Sequence, residues 1–331
     1  MSSAQQAIRP RRGRDVSARW LVLDGLVWLF RNARLHRLGR ATGYVMILPA
    51  LAVVGVLAAG LAYLTWIAFH KFDAYLFQQG GLSTRNFSEA IRSGYYRNIF
   101  VRTLEVSAAV TVAALIVALA LAYTMVRSRS RWGRIGLLVV VFLPFLVGEV
   151  VRAYSWLVMI GGNGAVPWLT GALGLGKTSL LGTAFGVSLG LMQLMLPLCA
   201  LTLLPAIHAI DPELEQAAAV MGARSWQTWR HVILPLARPG LAAAAAVSFT
   251  LSMTAYATPA LLGNGEYDFI ANTIQLVYFG HSNQYLGSAI GVLVLIGVTI
   301  GVTIIFWAGN RHRAGEPRTL ARLQRIVGRS R

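Results

Sequence analysis

The chain has 331 residues, of which 56% are hydrophobic and only 13% are charged. A soluble globular domain carries about 25% charged residues, so this composition excludes an ordinary soluble enzyme or binding module and is typical of a membrane protein. The net charge of +18 comes almost wholly from arginine, and the single cysteine, Cys199, excludes both an internal disulfide and a cysteine metal cage.

Six apolar stretches are long enough to cross a bilayer, which needs about 20 residues. We predict that each is a helix, because backbone groups in lipid must be satisfied within the segment. The predicted spans are Gly43–Ala68, Leu104–Val126, Ile135–Met159, Leu181–Leu203, Leu241–Leu262 and Tyr285–Ala308. The fold class expected is therefore all-α: a polytopic membrane protein with six transmembrane helices.

Small residues and prolines predict how these helices pack and bend. Glycines at four-residue spacing favour close helix contacts, as at Gly182, Gly186, Gly190, Gly287, Gly291, Gly297 and Gly301. Prolines within predicted spans favour kinks, as at Pro49, Pro144, Pro197 and Pro259.

Arginine position predicts the topology. Arginines are concentrated before the first span, between spans two and three, after span four and after span six. The positive-inside rule then assigns both termini to the cytoplasm of a multi-pass protein of the bacterial inner membrane, and the charge is not evidence for nucleic-acid binding. Residues 1–42 are predicted as a basic arm, with Trp20–Phe30 as an amphipathic helix lying on membrane lipid. Residues 43–308 form the membrane domain, and 309–331 a basic tail.

A phosphate-loop pattern, G-x-x-x-x-G-K-[ST], matches residues Gly171 to Thr178 in full. A true phosphate loop follows a buried strand and opens a helix beside a parallel sheet. Here the match lies between two predicted spans, on the side assigned away from the cytoplasm, so we interpret it as a chance match in a glycine-rich loop.

The segment after the fourth span, residues 205–240, contains the most informative signals. Asp211 is placed as an N-cap with Pro212 at the first helical position, and Gly222 offers a left-handed stop. One apolar stripe is predicted from Leu214, Ala217, Ala218 and Met221. Ser225 is placed to cap a second short helix, which Pro235 and Pro239 are expected to end. A helix pair of this kind fits either a partner's groove or the lipid surface.

Within this segment, Gln216-Ala-Ala-Ala-Val-Met-Gly222 and Val232-Ile-Leu-Pro235 resemble the signature loop, called the EAA loop, of binding-protein-dependent ABC importer permeases. That family's pattern is Glu-Ala-Ala, three residues, Gly, nine residues, then Ile-x-Leu-Pro. Ala217, Ala218, Gly222, Leu234 and Pro235 match in register. Gln216 departs from the glutamate, with Glu215 one residue earlier, and Val232 replaces the isoleucine.

Two further segments, Leu143–Gly164 and Thr258–Gln275, are similar to the spermidine/putrescine-type branch of that family. The resemblance implies a type I permease bundle that binds a cytoplasmic ATPase dimer, a second permease subunit and an external solute-binding protein. It implies that Glu215 to Ala218, Met221, Gly222, Leu234 and Pro235 form the ATPase-coupling loop. It also implies a small, polyamine-like or other cationic solute, with no enzyme activity in this chain.

Ionisable groups in a membrane are costly and mark candidate sites. Glu149 and Arg152 are three residues apart, so one expectation is that they pair with each other. The alternative is that Glu149 lines the solute path and attracts a cation, with Tyr154, Trp156 and Tyr256 offering aromatic faces. The possible solute-path residues are therefore Glu149, Arg152, Tyr154, Trp156 and Tyr256. Glu105 is expected to pair with Arg102.

Other functional classes lack their signatures. The sequence contains no metal spacing such as H-E-x-x-H, and no serine, histidine and aspartate are visibly arranged as a triad, so no catalytic residue, metal or cofactor is predicted. An ion-coupled secondary carrier is the alternative function, and it would require inverted repeats and several buried carboxylates.

Overall fold

The computed structural model describes residues 41–73, 78–174, 176 and 179–310. The predicted basic arm, including Trp20–Phe30, and the tail after Asn310 lie outside the described residues. The helices, in chain order, are α1 (Ala41–Ala68), α2 (Arg85–Arg92), α3 (Gly94–Arg127), α4 (Arg131–Leu146), α5 (Glu149–Ile160), α6 (Ala165–Ala172), α7 (Ala184–His208), α8 (Pro212–Val220), α9 (Ser225–Thr228), α10 (Leu234–Met253), α11 (Ala257–Leu262), α12 (Ile270–Gln275) and α13 (Gln284–Asn310).

The described residues are mostly helical, which confirms the fold class, with one small exception. Strands β1 (His70–Asp73) and β2 (Gln78–Leu82) pair as an antiparallel hairpin. The Asn86 side-chain amide donates to the carbonyl oxygens of Ala68 (2.9 Å) and His70 (2.7 Å), which ties α2 to the start of this hairpin. The sequence did not predict the hairpin, because its residues do not alternate between apolar and polar.

Five helical segments are long and apolar enough to cross a membrane, and α4 with α5 and α6 makes a sixth if the bent pair counts as one span. The predicted third span, Ile135–Met159, is wrong as a single helix because it bends by 100° after Leu146. The predicted fifth span, Leu241–Leu262, is displaced: the candidate span is Ser225–Met253, and because α10 ends at Met253, Pro259 lies in α11 and not inside a span.

The chain divides into two compact units, residues 1–63 and 64–331, and the boundary falls within α1. In the first unit, the α1 side chains from Ile47 to Tyr63 are exposed. The second unit contains the hydrophobic core.

Helices α3 and α7 pack lengthwise against each other and form the centre of this core. Each contributes apolar residues at four-residue spacing, which places them on one helix face. The α3 stripe is Val106, Val110, Ala114, Ala118 and Ala122, and the α7 stripe is Val187, Leu191, Met195, Cys199 and Leu203. The small alanines on α3 allow the two backbones to approach closely.

Helix α10 packs against α3, α7 and α13. Glycines allow these contacts: a Cβ on Gly240 would collide with Ala206 of α7, and one on Gly301 would collide with the Phe249 ring. Gly186 and Gly190 lie in α7 as predicted, but Gly182 lies in the preceding turn at φ +70°.

Candidate coupling loop and solute path

Helix α8 forms by local capping at both ends. The Asp211 carboxylate accepts from the Glu213 N–H at 2.9 Å, and Pro212 occupies the first turn, where its missing N–H costs nothing. At the other end, Gly222 adopts φ +78°, and the Ala223 N–H donates to the Ala218 carbonyl at 3.0 Å. This is the glycine-terminated ending predicted from the sequence.

The apolar stripe predicted on α8 is divided between two faces. Ala218 is 5% exposed and packs inward, whereas Met221 is 81% exposed and Leu214 is also exposed. Val220, which the stripe did not include, is 89% exposed. We call Leu214, Val220 and Met221 the exposed apolar face of α8.

Glu215 anchors α8 to the C-terminal end of α3. Its Oε1 forms an ion pair with Arg127 Nη2 at 2.6 Å and also accepts from Arg127 Nε at 2.9 Å. The Tyr123 hydroxyl donates to Glu215 Oε2 at 2.7 Å, and Arg127 Nη2 donates to the Ile210 carbonyl at 2.8 Å. The Arg127 and Glu215 side chains are only 19% and 18% exposed.

The same tyrosine contacts the second half of the loop. The Tyr123 ring lies 4.6 Å from the Trp229 ring, centroid to centroid. Glu215, Tyr123, Arg127 and Trp229 therefore connect both arms of the loop to α3, and we call these four residues the α3 anchor. The sequence did not reveal this role for Tyr123 or Arg127, since they lie about 90 positions before Glu215.

Gln216, which stands at the family's glutamate position, is exposed, and the described residues give its side chain no hydrogen bond or ion pair. The carboxylate that pairs in this loop therefore belongs to Glu215. Its position one residue earlier places it on the α8 face toward α3.

The predicted end of the second short helix at Pro235 and Pro239 is wrong. A π-helical turn, Trp229–Ile233, joins α9 to α10, and both prolines lie in α10. Pro235 has no N–H, and the wider turn lets the Leu234 N–H bond the Trp229 carbonyl instead. Ser225 is not the cap either: the Arg224 N–H donates to Gln227 Oε1 at 2.8 Å. Leu234 is exposed and Pro235 half-buried.

The expected pair between Glu149 and Arg152 is not formed. The ion pair of the described residues is Arg127–Glu215, and Arg152 Nη1 instead donates to the Val147 carbonyl at 3.2 Å. The helix break leaves carbonyls unpaired at the end of α4 and N–H groups unpaired at the start of α5. Arg152 donates to the Val147 carbonyl at the end of α4. Glu149 is exposed and lies in the first turn of α5, where negative charge is favourable.

The expected pair between Glu105 and Arg102 is also absent. Arg102 Nη1 donates to the Glu266 carbonyl at 3.1 Å, and its guanidinium lies 4.4 Å from the centre of the Tyr267 ring. Nearby, Thr103 Oγ1 accepts from the Ile270 N–H at 3.0 Å. These contacts tie α3 to the loop between α11 and α12.

A cavity of about 180 Å³ lies where the third span breaks. Its lining residues come from α4, α5, α7 and the break itself: Pro144, Val147, Arg152, Ser155, Trp156, Met159 and Gln193. Of the five predicted path residues, Arg152 and Trp156 line this cavity, whereas Glu149, Tyr154 and Tyr256 do not. Sequence reasoning missed Gln193, although an amide in the middle of an apolar span was an available signal.

The phosphate-loop match lacks the context that a phosphate site requires. The element before it is α6, and the strands of the described residues are only β1 and β2, which are antiparallel. Lys177 and Thr178 lie outside the described residues. No group of three His, Cys, Asp or Glu that could hold a metal occurs in the described part of the chain.

Residues 111–313 match the family described as binding-protein-dependent transport system inner membrane component. The match covers more than half of the chain and includes both the coupling loop and the broken third span. The chain belongs to this family. It is therefore a multi-pass inner-membrane permease component.

Relatives in this family differ in their named cargo. The chain is 28% identical to the Escherichia coli K12 inner membrane ABC transporter permease protein YdcU over 79% of this chain and 88% of that one. It is 28% identical to the Haemophilus influenzae spermidine/putrescine permease PotB over 74% and 85%. Other relatives are named for trehalose/maltose, ferric and molybdenum transport.

The family's fold is confirmed by a solved structure. A chain of a bacterial alginate ABC transporter, solved in complex with an alginate pentasaccharide-bound periplasmic protein, aligns with a TM-score of 0.70. The alignment covers 87% of this chain and 99% of that one at 18% identity, so it supports the fold alone.

Proposed function

We propose that this chain is the permease subunit of an ATP-driven importer and that its loop Asp211–Pro239 docks a cytoplasmic ATPase dimer. The membrane domain would pair with a second, similar permease or a copy of itself. An external binding protein would deliver the solute. Family membership and the named transport systems of the relatives support this assembly.

The observation that carries the proposal is the combination of a fixed helix and an exposed apolar face. Val220 and Met221 leave large apolar side chains in solvent, which is costly unless a partner covers them. On the opposite side, Glu215 fixes α8 to α3 through an ion pair and the Tyr123 hydrogen bond. A force applied to the exposed face therefore reaches α3.

This arrangement suggests how ATP could drive transport. Closure of the ATPase dimer would move α8 as a rigid element, because its two ends are capped and its middle is bound to α3. The α3 anchor would pass that movement to α3 and α7, which pack lengthwise. The bundle would then rock between inward-facing and outward-facing states as a rigid body.

In this assembly the partner ATPase would hydrolyse ATP, and this chain would contribute the membrane path and not the catalysis. The arginine distribution predicts that both termini and the Asp211–Pro239 loop face the cytoplasm, where the ATPase would meet them. A reporter domain fused at either terminus should show cytoplasmic activity, and periplasmic activity would contradict the topology.

Co-purification tests the docking role directly. We expect the ATPase encoded with this chain to co-purify with it, and vanadate to block uptake in proteoliposomes. Met221→Glu should abolish both co-purification and uptake, because it places a charge on the exposed apolar face while leaving the buried side of α8 unchanged.

A matched pair of glycine variants separates docking from backbone strain. Gly222 and Gly174 both have positive φ, and neither has an atom within 4 Å of an added Cβ. Gly222→Asp should abolish uptake, whereas Gly174→Asp, which carries the same strain in another loop, should retain most of it. Equal uptake in both variants, with both present in the membrane, would contradict a coupling role for the loop.

The solute remains a separate question. The sequence resemblance predicts a polyamine-like cation, which uptake of labelled putrescine with the cognate binding protein would test. Relatives named for sugar, iron and molybdenum transport show that family membership does not select the cargo. An ion-coupled carrier, the alternative function, would transport without ATP and would be insensitive to vanadate.

A further inference from the structure

The cavity at the break of the third span contains one charged group, Arg152. This side chain is 6% exposed, and its hydrogen bond within the described residues is the one to the Val147 carbonyl. No carboxylate of the described residues lies within 4.0 Å of its guanidinium, since their ion pair is Arg127–Glu215. The other N–H donors of the guanidinium are therefore available on the cavity side.

A second group in the cavity also presents donors. Trp156 Nε1 donates to Gln193 Oε1 and so uses one of the two lone pairs of that amide oxygen. The Gln193 NH₂ group is left to donate. Ser155 donates its own hydrogen to the Val151 carbonyl at 2.9 Å. The polar wall thus consists of a cation and an amide donor.

The remaining walls are apolar, formed by Pro144, Val147, Met159 and the Trp156 ring. An apolar surround lowers the local dielectric, which strengthens the attraction between a guanidinium and an anion. Arginine also matches carboxylate geometry with two parallel hydrogen bonds. The Glu149 carboxylate acts on Arg152 electrostatically but does not line the cavity, so a cationic ligand would meet the positive charge of Arg152 directly.

We infer that this cavity takes an anionic group of the transported solute, a carboxylate or a similar oxyanion, held by Arg152 and Gln193 against the Trp156 ring. The inference rests on the proposed permease function and names the substrate class. It opposes the cationic solute predicted from the sequence, which depended on Glu149, a residue that does not line the cavity.

Charged thiol reagents test the sign of the electrostatic potential in the cavity, and the test does not require that the solute is known. Ser155→Cys would place a thiol in the cavity wall. The single native cysteine, Cys199, is fully buried, so the unsubstituted chain supplies the background rate. The two probes are the anionic sulfonatoethyl and the cationic trimethylammonium-ethyl methanethiosulfonates, applied to the purified complete transporter in nanodiscs.

The measured quantity is the ratio of the anionic to the cationic rate constant, in which the reactivity of the thiolate itself cancels. Thr254→Cys, exposed at the end of α10, provides the reference ratio. We expect the ratio at position 155 to exceed the reference by about tenfold, the effect of one nearby unscreened charge. A ratio at or below the reference would overturn the proposal.

Four substitutions in the Ser155→Cys background assign the effect. Arg152→Gln should return the ratio to the reference, and Arg152→Lys should preserve most of it. If Arg152→Gln fails to fold, Gln193→Glu serves instead: a carboxylate added to the same wall should lower the ratio. Glu149→Gln should change it by less than twofold, and a larger change would show that Glu149 controls the charge of the cavity.

A lipid phosphate has the same chemistry as a solute anion, so the lipid is varied. Phosphatidylglycerol changes the local concentration of both charged reagents through its surface potential, so each rate is divided by the rate at the Thr254→Cys reference. Replacing phosphatidylcholine by phosphatidylglycerol should leave these normalised rates unchanged if the cavity serves a solute. A slowing of both reagents would instead assign the cavity to a lipid headgroup and overturn the solute proposal.

This test is independent of the ATPase. If co-purification and vanadate sensitivity fail while the rate ratio is high, the permease proposal is wrong although the cavity is anion-selective. If the assembly is confirmed and the ratio is low, only the substrate class is wrong.

Discussion

Two sets of one acidic and one basic residue in the molecule differ in whether they form an ion pair. Glu149 and Arg152 are three residues apart in one helix, yet they form no ion pair, whereas Arg127 and Glu215 are 88 positions apart and bond at 2.6 Å. The first combination lies at a helix break, where unpaired backbone groups compete for both charges. The second lies at the C-terminal end of α3, where Arg127 bonds both the Ile210 carbonyl and the Glu215 carboxylate. Within the described residues, the Glu215 carboxylate accepts from side chains alone.

The contrast shows that a charge is directed by the unsatisfied groups around it more than by sequence distance. At the break, Arg152 bonds a carbonyl and leaves Glu149 exposed at the start of α5. At the α3 anchor, the carboxylate receives three side-chain donor contacts from α3. We therefore expect the two combinations to respond differently to the same kind of substitution.

Arg127→Glu should have the largest effect, because it places two carboxylates together in a partly buried site. Breaking such a pair costs about 3 kcal/mol, the lower end of the range for buried pairs. We expect ATPase co-purification and uptake to fall by at least about tenfold. Exchanging the charges, Arg127→Glu with Glu215→Arg, should restore much of both, and unaltered co-purification of the single variant would contradict the anchor.

Arg152→Met should have the next largest effect, because the Val147 carbonyl at the helix break loses its donor. A hydrogen bond from a charged donor is worth about 1.5–3 kcal/mol, so the melting temperature of the purified complex should fall. Arg152→Lys keeps a donor and should lose less. A melting temperature equal to wild type in Arg152→Met would indicate that the break does not depend on this hydrogen bond.

Tyr123→Phe should have a smaller effect, since it removes the hydroxyl bond to Glu215 but keeps the ring against Trp229. The loss of one such bond is worth about 1 kcal/mol. The rate of ATP-driven uptake should fall severalfold, with ATPase binding retained. A loss as large as that of Arg127→Glu would show that the hydroxyl, and not the ion pair, holds α8.

Glu149→Gln should have the smallest effect, because the carboxylate is exposed and forms no ion pair. Uptake should stay within about twofold of wild type, and the melting temperature within about one degree, as for other exposed positions. A strong loss of uptake at normal protein level would restore Glu149 as the attractive charge of a cation path.

The sequence alone determined features that depend on local or one-dimensional signals. Span number follows from the length of apolar runs, although the third span is broken. The caps of α8 follow from Asp211, Pro212 and Gly222, because each acts on backbone groups within a few residues. The resemblance of residues 216–235 to a signature loop could be seen for the same reason, because those residues lie close together in the chain.

Only the tertiary structure decided how distant groups meet. The role of Arg127 and Tyr123 required α3 and the loop after α7 to lie side by side, and Gln193 became a candidate ligand only when α7 packed beside the broken span. Pro144 predicted a kink in this span, but the 100° bend after Leu146 and the separate helix α5 were not predicted. Local capping is set by neighbours in the chain, whereas ion pairs and cavities are set by packing between helices, and packing is a property of the whole bundle.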